Sequence, residues 1–493
     1  WACKNCCNCF ACCNNAFLLL AERTIKKEDS VFTGDTLFSF GCGKLLEGSY
    51  KEMVNSLKKI KAISVVLIFI KLLIIWRITN LQISQAQGHI WLGADGENYL
   101  KGVDGLISDG LFSKADILNY WPAGYPLIIY VMTFLGKSWA LTLLSVVQSI
   151  VFAYAAYFFA KELQISRLRK YALLSFLIIS LNPTLSSNSM AVGYESLAAS
   201  GLLIVASLIL KDVRLFNKQE TTKNLLKISL ILSFVSFMQP RFLLTSFVVI
   251  IFWLIYRLRK NYLRIGQAFL IASLLVAIAP ISLIARNQTA TGMSVISTNL
   301  GVTMAIGAGE TNGGYNGSYS LPCQVTGTDA AAIDNQKVRC VIDWYLHNPT
   351  KALKLFYNKS LYFWSPWFGP EANGTMARNP WLTIHPFKNM TKTQDGINLL
   401  YGNFGKLVSW LWLIGGILFL IFGFWTLYKE RREIRLIATI ALSIVVCSWL
   451  VTLISIGDHR FRLPIMTASL FLQAVGIKSL FARGKSQIVA PLK

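Results

Sequence analysis

Ser138-Trp139-Ala140-Leu141-Thr142-Leu143-Leu144-Ser145-Val146-Val147-Gln148-Ser149-Ile150-Val151-Phe152-Ala153-Tyr154-Ala155-Ala156-Tyr157-Phe158-Phe159-Ala160 carries no charge, and Lys161, Arg167, Arg169 and Lys170 follow it directly. A helix of about 20 apolar residues matches the hydrocarbon core of a bilayer, and a basic flank marks the cytoplasmic side. Comparable runs occur at 62–83, 171–189, 226–239, 265–285, 405–428, 434–456 and 464–482. One more begins near Gly193-Tyr194-Glu195 and exits at Lys211 and Arg214, and another ends at Arg257, Arg259 and Lys260. The basic clusters alternate with the runs, so the pattern predicts an all-α polytopic membrane protein of about ten transmembrane helices with both termini inside.

Composition agrees. Only 15% of residues are charged and 54% are hydrophobic, whereas a soluble domain carries about a quarter charged residues. The net charge of +24 is used up by the basic clusters between spans, which leaves no stripe for nucleic acid. The chain divides into a Cys-rich leader over 1–60, a transmembrane module over 61–285, an extracytoplasmic domain over 286–404 and a second transmembrane module over 405–493. The leader crowds Cys3, Cys6, Cys7, Cys9, Cys12 and Cys13 together. That spacing reads first as a leader without a site, and second as a zinc or iron–sulfur ligand set.

The first outer loop, 84–137, opens with Trp91-Leu92-Gly93-Ala94-Asp95-Gly96-Glu97-Asn98-Tyr99-Leu100. Tyr99, Leu100, Val103, Leu106, Ile107 and Leu111 recur at helical spacing, which predicts an amphipathic interfacial helix. Pro126 to Leu135 is too short to span and is expected to lie on or dip into the outer leaflet. The extracytoplasmic domain holds sequons at Asn287, Asn316, Asn358, Asn373 and Asn389, a helical pattern over 343–363, and Cys323 and Cys340, for which a disulfide is expected.

The unusual polar residues collect on the outer side: Asp95 and Glu97, Glu195, Arg241, Arg286, and the insert Asp458-His459-Arg460-Phe461-Arg462. Each also has a plain structural reading. Asp95 and Glu195 suit helix caps, the arginines can snorkel to headgroups, and His459 suits a surface position. The stretch Ser297-Thr298-Asn299 with the glycines after it suits a backbone anion site. Together, one carboxylate with several cations fits sugar transfer from a lipid phosphate. The leaving group is then already an anion that arginines stabilise, and the acceptor hydroxyl needs a base such as Asp95.

Over residues 60 to 482 the chain resembles the membrane-embedded C-type glycosyltransferases of the dolichyl-phosphate-mannose-protein mannosyltransferase-like, polyprenyl-phosphate-sugar-dependent branch. The resemblance rests on Asp95 with Tyr99, Pro122-Ala123-Gly124-Tyr125-Pro126, Arg286-Asn287 leading to Ile296-Ser297-Thr298-Asn299-Leu300-Gly301, Asn348-Pro349 with Lys359 and Phe363-Trp364-Ser365-Pro366, and Arg460-Phe461-Arg462-Leu463-Pro464. It implies Asp95 as catalytic base with Glu97 beside it, although relatives often show adjacent Asp-Glu where Gly96 intervenes here. Arg460, Arg462, Arg286 and Arg241 are then expected near the donor phosphate, with Tyr99, Tyr125, Glu195, Asn299 and His459 around the substrate. No cofactor is expected, because no His/Asp cluster argues for a divalent metal. The expected partners are a polyprenyl-phosphate sugar donor, a glycan, lipid or protein acceptor, and membrane lipids. The expected location is a bacterial inner membrane, with the site facing the periplasm. A lipid-linked-glycan ligase or polymerase, or a non-catalytic transporter or flippase, is the alternative.

Overall fold

A computed structural model describes residues 43–83, 95–215, 218–258, 262–309, 320–364 and 403–488. Among them all regular structure is helical. Six helices are long and apolar enough to cross a membrane: Lys137–Gln164, Glu195–Leu215, Pro240–Leu258, Tyr262–Thr291, Arg432–Ile454 and Arg460–Ala482. The protein is a helical membrane protein. The leader cysteines, the Trp91 to Ala94 half of the first-loop motif and the sequons at Asn316, Asn373 and Asn389 lie outside the described residues.

Helix α1, Gly43–Ile83, has 41 residues and continues through the point at 60 where the leader was expected to end. The loop after it contains α2 (Gly96–Asp109), α3 (Ile117–Tyr120) and α4 (Gly124–Thr133). Helix α2 buries Tyr99, Val103 and Leu106 on one face, the amphipathic pattern the spacing predicts. Then come α5 (Ala140–Gln164), α6 (Arg169–Ser180), α7 (Pro183–Asn188), α8 (Glu195–Leu215), α9 (Lys218–Met238), α10 (Leu243–Leu258) and α11 (Tyr262–Thr291). The expected span at 171–189 is not one helix. Helix α6 has 12 residues, about 18 Å of rise, and the chain breaks at Asn182-Pro183, where the Asn182 side chain caps α7.

The break is accommodated by α5. Ser149 and Ser145 hydroxyls donate to the carbonyls of Ser189 and Met190 at 3.2 and 2.8 Å, and the Gln148 amide donates to that of Ala191 at 2.8 Å. Backbone carbonyls removed from water cost several kcal/mol when left unpaired, so these three side chains make the unwound segment tolerable. Against it lies Lys71 of α1, buried, donating to Ser189 Oγ at 2.6 Å with its ammonium 4.5 Å from the Phe152 ring centroid.

The second half comprises α12 (Leu300–Gly307), α13 (Ala330–His347), α14 (Pro349–Trp364), α15 (Asn403–Tyr428), α16 (Arg432–Ile454) and α17 (Met466–Ile488). The helical pattern expected over 343–363 is two helices, parted at Asn348-Pro349. A disulfide joins Cys323 to Cys340 of α13, with Cα atoms 6.0 Å apart.

Charged pairs gather the basic ends of the spans. Arg214 of α8 meets Glu162 of α5 at 3.1 Å, and Arg167 meets Glu433 of α16 at 3.8 Å. Buried Asp212 takes Arg257 Nε at 3.3 Å, Trp253 Nε1 at 3.1 Å and Asn224 Nδ2 at 3.3 Å, stapling α8, α9 and α10. These contacts bring the basic clusters of separate spans to one end of the bundle, and the opposite end carries the polar residues described below.

Helices α15 and α17 cross so closely that a methyl on Gly423 would overlap the Leu472 carbonyl, while Gly415 faces open space. Gly423→Ala should therefore force the helices apart at a cost of about 1–3 kcal/mol and lower the thermal midpoint in detergent. Gly415→Ala should leave it unchanged or slightly raised. Equal midpoints for the two variants would show that the crossing is not tight.

Candidate functional site

Asp95 sits at the N-terminal end of α2, in the N-cap position, yet its side chain makes no capping hydrogen bond. Instead Oδ1 accepts from Arg460 Nη1 at 3.2 Å, across 365 residues of chain. The other side of the guanidinium faces Asp458, with Nε 3.2 Å from Oδ2. That approach is an ion pair without hydrogen-bond alignment, since Nε has no acceptor in line. Asp458 itself caps the 3₁₀ turn His459–Ile465, accepting from Arg460 N–H at 2.9 Å. The turn thus holds Arg460 from both backbone and side chain and presents it to Asp95.

Arg241 approaches from the 3₁₀ turn Pro240–Phe242 between α9 and α10. Its guanidinium lies 3.9 Å from the Phe461 ring centroid and 5.4 Å from that of Tyr194. It feels the charges of Arg460, Asp95 and Asp458. Its Nε and Nη2 are buried without a hydrogen-bond acceptor among the described residues. Ring faces attract a cation but do not satisfy its in-plane N–H donors. A guanidinium with two unmet nitrogens beside an ion-paired carboxylate is suited to binding an oxyanion.

The floor is aromatic. Tyr99 meets Tyr125 and Tyr194 edge-on at 5.0 and 6.4 Å. Burial, then the charges of Asp95 and Glu195, raises the Tyr99 phenol well above its ordinary value. Glu195 is buried at the start of α8 beside Tyr194, where its carboxylate is bonded by its own backbone N–H. Glu97 is exposed on the first turn of α2. Arg462 lies in the same 3₁₀ turn as Arg460, and the His459 side chain lies outside the described residues.

Two residues expected at the site, Arg286 and Tyr125, and the sequon residue Asn287 have structural work. Arg286 donates to the carbonyls of Leu111 and Ser113 and to the amide oxygens of Asn119 and Asn287. With these donors engaged it braces the α2–α3 loop against α11. Asn287 is buried and also donates to Val295 and Ile296 carbonyls, so its sequon is not an accessible acceptor. Tyr125 donates to Gln148 Oε1 at 3.1 Å and accepts from Gly193 N–H at 2.8 Å. Through this hydroxyl it holds the start of α8.

The expected anion site near Asn299 is filled by the protein itself. Asp334 of α13 accepts from the N–H groups of Gly301 and Val302 at 2.7 and 3.4 Å, neutralising the positive end of α12. Asn299 accepts from Thr303 Oγ1 within α12.

Sequence reasoning named Asp458 among the polar residues of the outer side without giving it a role, and named Lys359 only within a motif. The Asp-x-Arg spacing of 458 to 460, an N-cap followed by a cation, was the available signal for the first. Lys359 is wholly buried and donates to Tyr345 Oη and the Leu453 carbonyl, both at 2.8 Å. It therefore caps the C-terminal end of α16, where the site loop begins. Directly beyond, a Cβ on Gly457 would lie 2.6 Å from Lys359 Cα. Among the described residues no group of three or more His, Cys, Asp or Glu could hold a metal ion.

Burial lowers the Lys359 amine from 10.5 to about 7. The unfolded chain keeps its proton up to 10.5, so the burial penalty is complete below the folded value and disappears as pH rises to the unfolded one. The parent should gain thermal stability between pH 7 and 9, and Lys359→Met should gain less over the same window. Parallel profiles would show that Lys359 does not titrate in this window.

No family model matches the chain. A stretch of 36 residues is 72% identical to the hydroxyacylglutathione hydrolase of Pelagibacter ubique, covering 7% of this chain and 15% of that protein. Another of 35 residues is 57% identical to the hydroxyacylglutathione hydrolase of Bartonella henselae, covering 7% and 14%. One of 48 residues is 46% identical to that of Prochlorococcus marinus, covering 10% and 18%. The chain spans less than a fifth of the length of these curated relatives.

Proposed function

We propose that the protein is a C-type glycosyltransferase that moves a sugar from a polyprenyl-phosphate donor to an acceptor hydroxyl. The carrying observation is that Nε and Nη2 of Arg241 are buried without an acceptor among the described residues, next to the Asp95–Arg460–Asp458 pairs. In this reading Arg241 binds the donor phosphate. The acceptor oxygen attacks the anomeric carbon with inversion as the bond from that carbon to the phosphate oxygen breaks. The acceptor proton passes to Asp95 Oδ2, the oxygen not taken by Arg460. Polyprenyl phosphate leaves as an anion, neutralised by the arginines. The finer topology belongs to the same reading. It has about ten crossings, with α1, the α6–α7 pair, α9 and α15 added to the six apolar spans, and the site faces the periplasm of a bacterial inner membrane. The short hydrolase matches cover too little of those proteins to suggest their activity.

One observation favours a transporter or flippase. The broken α6–α7 pair and buried Lys71 resemble the interrupted helices and mid-span ionisable groups of transporters. Against it, the carbonyls at the break are bonded by Ser145, Gln148 and Ser149 and are not open to a travelling ion.

Purified protein in vesicles, given a panel of radiolabelled polyprenyl-phosphate sugars, decides between them. Asp95→Asn should keep donor binding and lose about 10²–10⁴-fold in turnover. Arg241→Ala should weaken donor binding, with Arg241→Lys recovering part of it, because the charge survives without the fork. Transfer by Asp95→Asn at the parental rate would remove Asp95 as base. Movement of the lipid-linked sugar across the bilayer without transfer would favour the second reading.

A further inference from the structure

Helix α14 falls in the stretch expected to form an extracytoplasmic domain, but its contacts point elsewhere. Helix α14 buries Ala352, Leu355, Lys359 and Phe363 on one face. That face packs on the last turns of α16: Trp449 Nε1 donates to Ser360 Oγ at 3.1 Å, and the Trp364 and Trp449 rings lie 6.3 Å apart. The opposite face presents Leu353, Tyr357 and Leu361 at i, i+4 and i+8, and these are 67%, 64% and 45% exposed. Such a stripe in water is unfavourable, since each large apolar side chain gains about 1.5–3 kcal/mol from burial.

The depth of the contact identifies what covers the stripe. Helix α16, Arg432–Ile454, has 23 residues, a rise of about 34 Å against about 30 Å of hydrocarbon. Its ends therefore reach only about 2 Å past the core on each side. Trp449 lies five residues inside Ile454, about 7 Å along the axis. Ser360, which it contacts, is then within the hydrocarbon, and Tyr357 and Leu361 are at or below its edge. At the same level α16 exposes Leu450 and Ile454. Towards the start of α14, nearer the headgroups, the exposed residues include Lys351 and Lys354.

We propose that α14 is seated in the membrane leaflet at the site end, with Tyr357 and Leu361 against phospholipid acyl chains and Lys351 and Lys354 at headgroup level. The helix is then a wall with lipid on one side and the site loop on the other, since its Lys359 backbone packs directly on Gly457. This placement depends on the bundle spanning a membrane and not on the reaction it carries out.

Photocrosslinking of the full chain in phosphatidylethanolamine–phosphatidylglycerol vesicles tests it. Leu361→p-benzoylphenylalanine should give, on irradiation, a protein whose mass is shifted by one phospholipid. Leu274→p-benzoylphenylalanine, on the exposed face of α11, is the positive control, and Lys351→p-benzoylphenylalanine should give a weaker adduct. A crosslink from 361 to another part of this chain or to a second copy would overturn the proposal. So would no lipid adduct at 361 while 274 gives one.

Discussion

Arg460 stands between two carboxylates that belong to opposite ends of the chain. Asp95 opens the first loop after α1, and Asp458 closes α16 shortly before the last helix. Bringing three charges out of bulk water is costly, and removing one partner of such a set typically costs about 3–5 kcal/mol because a bare charge is left behind. The ion pairs therefore fix which loops meet. Once Arg460 is held, Phe461 must lie where Arg241 stacks on it, and α8 is drawn in through Tyr194 and Glu195. The geometry of the site is a consequence of neutralising one guanidinium.

The same demand acts along the interior of the bundle. Asp212 at the basic end is completely buried, and two neighbouring helices, α9 and α10, supply its partners. Arg286 and Asp334 serve similarly at the site end, one bracing loop carbonyls and the other closing a helix N-terminus. Other buried side-chain atoms among the described residues also lack a partner, Ser196 Oγ and Thr245 Oγ1 among them, so the unmet Arg241 donors take their meaning from their place beside the Asp95–Arg460 pair.

Six of the expected spans were legible because a run of apolar residues between basic clusters has few other physical readings. Helix α2 was legible from its spacing, and so was the gathering of Asp95, Arg241, Glu195 and Arg460 at one end. What was not legible depended on partners distant in sequence. Arg286 and Arg241 look alike in the chain, and only the carbonyls of Leu111 and Ser113 turn the first into a brace. Lys71 was hidden inside an apolar run whose average hydropathy outweighs one amine. The break in 171–189 gave a local sign in Asn182-Pro183, yet the short helix that results is stable only because α5 offers side chains to the segment beyond it.

That dependence bears on how the chain enters a membrane. A helix of 12 residues is too short to partition by itself, and the carbonyls of Ser189, Met190 and Ala191 would be bare in lipid. The segment from Arg169 to Gly193 can therefore leave the insertion machinery only together with α5, which must wait for it. Biogenesis at this point has to proceed by a hairpin and not by single helices. A substitution at Ser145, Gln148 or Ser149 would be felt first in the yield of correctly threaded protein, before any folded molecule exists to be assayed.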